Sequence, residues 1–526
     1  MDTVNTIDLN IYHTSDVHGS VLPIAYADNS KNQKGLAKIS SIINSERENN
    51  PYTLLIDNGD ILQGTPLTYF HAKIDKASKN PVIDVMNYMK YDAAIIGNHE
   101  FNYGQKYLLQ AFAQSEFPWI SANIVFKNDS SPLSGNSYII KEFDNGLKIG
   151  IIGVTTKYIP NWENPNEISN LNFEDPVDKS IIIAKYLKED LGVDIVIISY
   201  HGGFERDLVT GEPTENLTGE NQGYEILSKV KHADVLLTGH QHRKIDNALV
   251  NGIITCQPSC NGEYLSKITL TLEKKDNKWQ IISKVAKLID SSKYEVDEQV
   301  IDLVKDIENR TQNWLDKPMG RINGNMVIDN HFKLRLKDNA LIEFINKVQM
   351  SSSGASISNT ALFDNKCVGF RENVTMRDIV SNYIYPNTLK VLKLKGKDIK
   401  AALEKSASYF CIKDGEIGVN PEFMSPKIQH YNYDMWEGIE YIIDASKPKG
   451  EKITKLTKNG KPIGTEEEFD VVMNNYRAGG GGDYYMYKDK PVVADIPLDM
   501  SELIANYILE RKVIEATVNN NWKVIY

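Results

Sequence analysis

Residues 8–20 read DLNIYHTSDVHGS, a short apolar run that breaks off into Asp16, His18 and Gly19. The same construction returns four times. The run at 53–56 leads into Asp57, Gly59 and Asp60 (IDNGD), and that at 93–96 into Asn98, His99 and Glu100 (GNHEFNYG). The run at 194–199 leads into His201, Gly202 and Gly203, and that at 235–237 into Gly239, His240, Gln241 and His242. A further run lies at 148–154. These segments are too short for helices and rich in Ile and Val, so they read as buried strands. Helical stretches at 35–47 and 176–191 fall between them, and strands alternating with helices indicate a layered α/β domain. Polar groups at the carboxyl ends of parallel strands face a single crevice, so the five clusters share one address.

The residue types suit metal. Imidazoles mixed with carboxylates fit two divalent ions such as Mn²⁺, Zn²⁺, Fe²⁺ or Co²⁺, and no thiol lies in any of the five motifs. A carboxylate can bridge two ions roughly 3.5–4 Å apart, which together clamp a phosphoryl oxygen. Taken singly, DVH or GD carries little weight; the order of all five carries the reading. His13 reads as a packed strand residue, not a ligand. Cys256, Cys260, Cys367 and Cys411 form neither a CxxC pair nor a dense disulfide framework, and read as small buried hydrophobes.

Composition bounds the rest. The chain has 526 residues, enough for more than one core. A net charge of −11 with no basic block is poorly suited to long nucleic acid, but bound cations can reverse the local field for a small anionic substrate. No apolar run is long enough to span a bilayer. The start, MDTVNTIDLN, lacks the basic and apolar regions of a signal peptide, so the expectation is a cytoplasmic protein, or a secreted or cell-surface one whose leader has been trimmed.

The pattern changes at 296–315, VDEQVIDLVKDIENRTQNWL, a polar amphipathic helix stopped by Pro318 and Gly320. This gives a domain at 1–295, a connection at 296–320 and a second domain at 321–526. The second domain is expected to hold helices at 340–349 and 396–408 and a strand at 469–473 that runs into glycines 479–482.

The order D-x-H, G-D, G-N-H-E, H-G-G, G-H-x-H resembles the calcineurin-like metallophosphoesterases. The likeness extends through the C-terminal half, to the bacterial 5′-nucleotidase and 2′,3′-cyclic-nucleotide phosphodiesterase family. The resemblance implies a four-layer αββα domain followed by an α/β (α+β) substrate-binding domain that rotates over the metals, with the connection as hinge. It also implies that Asp16, His18, Asp60 and His242 hold one ion and that Asn98, His201 and His240 complete a second site, with Asp60 bridging. His99 would act on the phosphoryl group or the leaving oxygen, with Asn102 orienting its ring, and Asp57 would support a ligand.

By the same resemblance Tyr385 and Tyr476 fall where family members stack the base, and Asn387 where an amide contacts it. Tyr385 and Asn387 lie in the segment from Ile384 to Thr388. The glycines after Tyr476 either let backbone approach the nucleoside or form a flexible turn. Typical 5′-nucleotidases have aspartate where this chain has Asn102. YNYDMWEG (431–438), YPNTLKVLKLKG (385–396) and NNYRAGGGGD (474–483) resemble the cyclic-nucleotide branch, and the glycine-rich phosphate segment of many 5′-nucleotidases is replaced by ISNTALFDNKCVGF (357–370). The implied activity is hydrolysis of 2′,3′-cyclic nucleotides to 3′-nucleotides and then to nucleoside and phosphate. Two alternatives stay open: a 5′-nucleotidase, and a non-catalytic nucleoside-binding protein on the same fold.

Overall fold

Leu9, Ile11, Leu54 and Ile56 from one sheet and Ile149, Ile151, Ile195 and Ile197 from another lie fully buried in one shared core. Strands apolar on both faces must be covered on both faces, which dictates the layers around them. The computed structural model describes residues 6–526 except Asn164, Asn216, Ile384, Pro386, Pro426 and Pro497. Ile384 and Pro386, quoted above, therefore lie outside the described residues. The chain divides into two compact units, Met1–Thr311 and Gln312–Tyr526, and the helix Glu298–Leu315 runs across the division.

In the first unit one six-stranded sheet has the order Lys278–Asp290, Tyr264–Lys275, Thr6–Thr14, Thr53–Asp57, Ala93–Ile95, Trp119–Ile120. The last four pair in parallel. The other sheet has the order Lys244–Val250, Ile253–Pro258, Val235–Thr238, Ile195–His201, Lys148–Thr155, Tyr138–Glu142, parallel at the centre and antiparallel at both edges.

Helices cover the outer faces. Pro176–Glu189 is started by Asp175, whose carboxylate accepts the N–H groups of Val177 and Asp178, and it buries Val177, Ala184 and Leu187 with Ile152, Val196 and Ile198. On the other sheet Tyr12 points away from the core and donates a hydrogen bond to Glu46 of helix Leu36–Asn49. The result is helix, sheet, sheet, helix. The sequence reading did not foresee the long hairpin Tyr264–Lys275/Lys278–Asp290. Its two turn residues, Asp276 and Asn277, both take positive φ (50° and 62°), the conformation that matches strand twist in a two-residue hairpin.

The second unit centres on a five-stranded sheet, Asp434–Glu437, Ile357–Ala361, Glu468–Asn474, Leu389–Lys395, Val492–Ile496. The expected helices are Ala340–Ser353 and Gly396–Ala407, and the expected strand is Glu468–Asn474. A C-terminal helix, Met500–Arg511, was not foreseen. Among the described residues no helix is long and apolar enough to cross a membrane.

Candidate active site

Asp16, His18, Asp60, His240 and His242 all sit in the left-handed backbone region, with φ between 51° and 66°. Each follows the carboxyl end of a parallel strand, where the chain must reverse at once. Asp, Asn and His are the side chains that tolerate this region best. Backbone pairing between the turns locks them together: the Asp16 N–H donates to Gly59 O and the His18 N–H to Asp60 O.

The seven residues named from the motifs arrive as two groups. Asp16, His18 and His242 present ligand atoms within 4.8 Å of one another, and so do Asp60, His201 and His240. His18 Nε2 lies 3.1 Å from His242 Nε2, which is 3.3 Å from Asp16 Oδ1. In the second group His201 Nε2 lies 3.3 Å from Asp60 Oδ2. Asn98 Oδ1 joins that group at 3.0 Å from His201 Nε2 and 2.9 Å from His240 Nδ1.

The remaining ring nitrogens are occupied behind the ligands. His18 Nδ1 faces Gln63 O at 3.0 Å, His201 Nδ1 faces Asn58 O at 2.6 Å, and His240 Nε2 faces Glu220 Oε1 at 2.9 Å. These contacts fix each ring and aim its other nitrogen inward. Burial works against charge on His201, and Asp60 overcomes it, raising that imidazole to about 9. Burial likewise opposes charge on His242, which Cys260 and Asp16 raise to about 10. His18 is lowered to about 3 by burial, despite the nearby Asp60.

His99 belongs to neither group. Its Nε2 is 4.0 Å from Asp60 Oδ2, its Nδ1 is 2.7 Å from Asn102 Oδ1, and its backbone N–H donates to Asp60 Oδ1 at 2.8 Å. Asp57 supports the turn and not a ligand side chain: it accepts from the Gly59 N–H at 2.7 Å and from the Thr14 hydroxyl at 2.6 Å. His13 is packed, against Ser266 and Thr238 O.

Three contributions escaped the sequence reading. Glu100 accepts four backbone N–H groups, those of Gly97, Asp60, Ile61 and Leu62, and so ties two ligand turns together. Burial and the Asp60 carboxylate push it up to about 7 against those donors. Glu220 and Glu163, the latter accepting from Asn102 Nδ2 at 2.5 Å, come from segments with no motif. Cys260 corrects the reading of all four cysteines as buried hydrophobes. It is half-buried and faces His242, which lowers the thiol against the effect of burial; Cys411 is also half-buried.

In the second unit Tyr476 is the second residue of the short helix Asn475–Ala478, which Asn474 caps by accepting the Arg477 N–H. A Cβ at Gly481 would lie 2.6 Å from the Tyr476 ring, so this glycine packs against the ring. Tyr431 meets Tyr476 edge-on at 6.5 Å. Arg477 is buried on Asp434, at 2.9 Å, and on Tyr431 O, at 2.7 Å, joining the segments that carry both tyrosines. Tyr385 stands edge-on to Phe363 at 5.5 Å, and Asn387 lies beside the buried Tyr383. Asp338, Glu343 and Glu437 also cluster. They accept from Thr517, from Lys347, from the Asn519 side chain and from the N–H groups of Asn519 and Asn520, an arrangement that clamps the C-terminal segment.

Residues 9–244 match the calcineurin-like phosphoesterase family and residues 318–489 the 5′-nucleotidase C-terminal domain. A solved structure of a putative 5′-nucleotidase from Staphylococcus aureus is 35% identical, covers 98% of this chain and 100% of its own, and superposes with a TM-score of 0.89. This chain belongs to the calcineurin-like phosphoesterases with a 5′-nucleotidase C-terminal domain.

The 2′,3′-cyclic-nucleotide 2′-phosphodiesterase/3′-nucleotidase of Salmonella typhimurium is 29% identical across 99% of this chain and 89% of its own length. The trifunctional nucleotide phosphoesterase protein YfkN of Bacillus subtilis is 28% identical across 98% of this chain, which spans only 39% of that protein.

Calcineurin-like phosphoesterases bind two divalent metals, and the residues of this one fit them. Two imidazole nitrogens facing each other at 3.1 Å beside a carboxylate need a cation or a shared proton between them. A divalent ion replaces such protons, so metal binding in this phosphoesterase is expected to release them.

Proposed function

We propose that this phosphoesterase hydrolyses 2′,3′-cyclic nucleotides to 3′-nucleotides and then releases nucleoside and phosphate at the same site. The observation that carries the chemistry is the pair of donor groups flanked by a histidine that belongs to neither. Asp16, His18 and His242 would hold one ion, Asn98, His201 and His240 the other, with Asp60 shared. Asp60 Oδ1 also accepts the His99 N–H, which would tie the shared carboxylate to the turn that carries His99. When bound, the two ions supply charge neutralisation at the phosphoryl oxygens and a water activated for attack.

With Nδ1 donating to Asn102, a doubly protonated His99 would deliver the proton on Nε2 to the departing ribose oxygen. In the first hydrolysis that oxygen is the 2′, in the second the 3′, and each consumes one water. Tyr385 and Tyr476 would stack the base, with Asn387 on its edge. The Salmonella relative supports the cyclic branch, as does the amide at Asn102 where typical 5′-nucleotidases have a carboxylate. The name of the Staphylococcus structure favours the second reading, a 5′-nucleotidase.

The test is phosphate release by demetallated protein given Mn²⁺, Zn²⁺ or Co²⁺, with adenosine 2′,3′-cyclic phosphate, 3′-monophosphate and 5′-monophosphate as substrates. The cyclic and 3′ esters are expected to turn over only with metal. Preference for the 5′ ester would transfer the protein to the second reading, and turnover without metal would remove the two-metal chemistry.

The base site has its own test. Tyr476→Ala is expected to raise KM for nucleotides by about 10–100-fold, the loss of roughly 1–3 kcal/mol of stacking. Bis-nitrophenyl phosphate, which has no base, should be hydrolysed as before. Equal losses on both substrates would make Tyr476 a packing residue.

A further inference from the structure

Asn102 can present either end of its side chain to His99. An amide is nearly symmetric in shape, but its oxygen accepts whereas its NH₂ donates. Facing Nδ1 with the oxygen requires the proton on Nδ1. Facing it with the NH₂ requires a lone pair there and moves the proton of the neutral ring to Nε2. Delivering a proton from Nε2 while Nδ1 keeps its own takes the doubly protonated ring, in which both nitrogens donate; only the oxygen end of Asn102 can face such a ring, and Asn102 cannot decide its direction alone.

Glu163 decides it. Its Oε1 lies 2.5 Å from Asn102 Nδ2, while Asn102 Oδ1 lies 2.7 Å from His99 Nδ1. An ionised carboxylate can only accept, so it holds the NH₂ and turns the carbonyl oxygen to the imidazole. The turn that carries Glu163 is itself pinned to the site. Neighbouring Trp162 stacks on His240 with ring centroids 5.3 Å apart and planes 27° from parallel.

We infer that Glu163 is a positioning residue for the proton-delivering His99, acting through Asn102. A carboxylate at position 102 would need no such partner, because both its oxygens accept. The chain that carries an amide there also carries a carboxylate behind it. The inference rests on the reading of His99 given above.

The test uses the metal-loaded protein and two substrates, adenosine 3′-monophosphate, whose leaving oxygen needs a proton, and bis-nitrophenyl phosphate, whose leaving group does not. Glu163→Ala is expected to lower kcat on the nucleotide by about 10–100-fold, the usual effect of removing a group that orients a site residue, with KM changed by less than about twofold. The artificial ester should be spared. Glu163→Gln can donate as well as accept, so it no longer fixes which end of Asn102 faces the ring, and its nucleotide rate should fall between those of wild type and Glu163→Ala.

The decisive variant is Asn102→Asp in the Glu163→Ala background. There the introduced carboxylate accepts from Nδ1 unaided, and nucleotide turnover should recover to within about threefold of wild type. Asn102→Asp with Glu163 present sets two carboxylates against each other and should be slower than that double variant. An unchanged nucleotide rate in Glu163→Ala, an equal fall on both substrates, or no recovery in the double variant would each overturn the inference. His99→Asn separates the two levels. If it spares the nucleotide, the reading of His99 fails; if it does not but Glu163→Ala does, only the role of Glu163 fails.

Discussion

Asp60→Asn is expected to lower turnover by at least ~10³-fold and to strip metal from both sites, because it removes about 4 kcal/mol or more of charge stabilisation. Asp60 is 1% exposed, has Oδ2 3.3 Å from His201 Nε2 and holds the His99 N–H with Oδ1. Burial alone would neutralise it, but His201, His99 and His18 hold it ionised, well below the usual carboxylate range. Those three rings belong to the second donor group, to the flank and to the first donor group, so one carboxylate serves all of them. The amide is close in size and can still accept from His99, which leaves charge as the property changed. Metal per chain, measured by elemental analysis beside phosphate release, checks this. Two ions retained with undiminished turnover would show that Asp60 is not shared.

His99→Asn is the second large effect. It is expected to slow hydrolysis of nucleoside 3′-monophosphates by roughly 10²–10⁴-fold, the range for a positioned acid, while metal content stays at two. The side chain is 24% exposed, with Nε2 4.0 Å from Asp60 and the ring edge-on to His18 at 5.2 Å, and it belongs to neither donor group, so the ligands are expected to stay in place without it. Bis-nitrophenyl phosphate should be little affected. Loss of metal, or equal losses on both esters, would instead make His99 a structural support.

The first unit was legible because its strands advertise themselves. Uninterrupted Ile and Val followed by Asp, His or Gly is the signature of a strand buried on both faces that ends at a site. The hairpin Tyr264–Lys275/Lys278–Asp290 was missed for the complementary reason: it alternates apolar and polar residues at the sheet edge, and a search for solid apolar runs passes over it. Glu100, Glu163 and Glu220 were hidden differently. Glu163 and Glu220 each act through a hydrogen bond made by tertiary placement, and a lone carboxylate outside any motif has no period to betray it; Glu100 stood in a quoted motif, but its four backbone donors come together only in the fold. In the second unit Arg477 carried no signal of its own in the sequence, and its burial on Asp434 makes it a strut. Glycines 479–482 left two roles open, and the contact of Gly481 with the Tyr476 ring adds a third, packing against that ring.

The left-handed conformation of Asp16, His18, Asp60, His240 and His242 sets evolution of stability against evolution of activity. Each such residue costs about 1 kcal/mol relative to a relaxed backbone, a strain that glycine would relieve. A mutant library screened only for survival of heating, without metal and without substrate, is therefore expected to accumulate glycine at these five positions. The hits would be sturdier proteins that had exchanged their ligands for ease of folding. Thermostabilisation of this enzyme has to proceed with those codons held fixed.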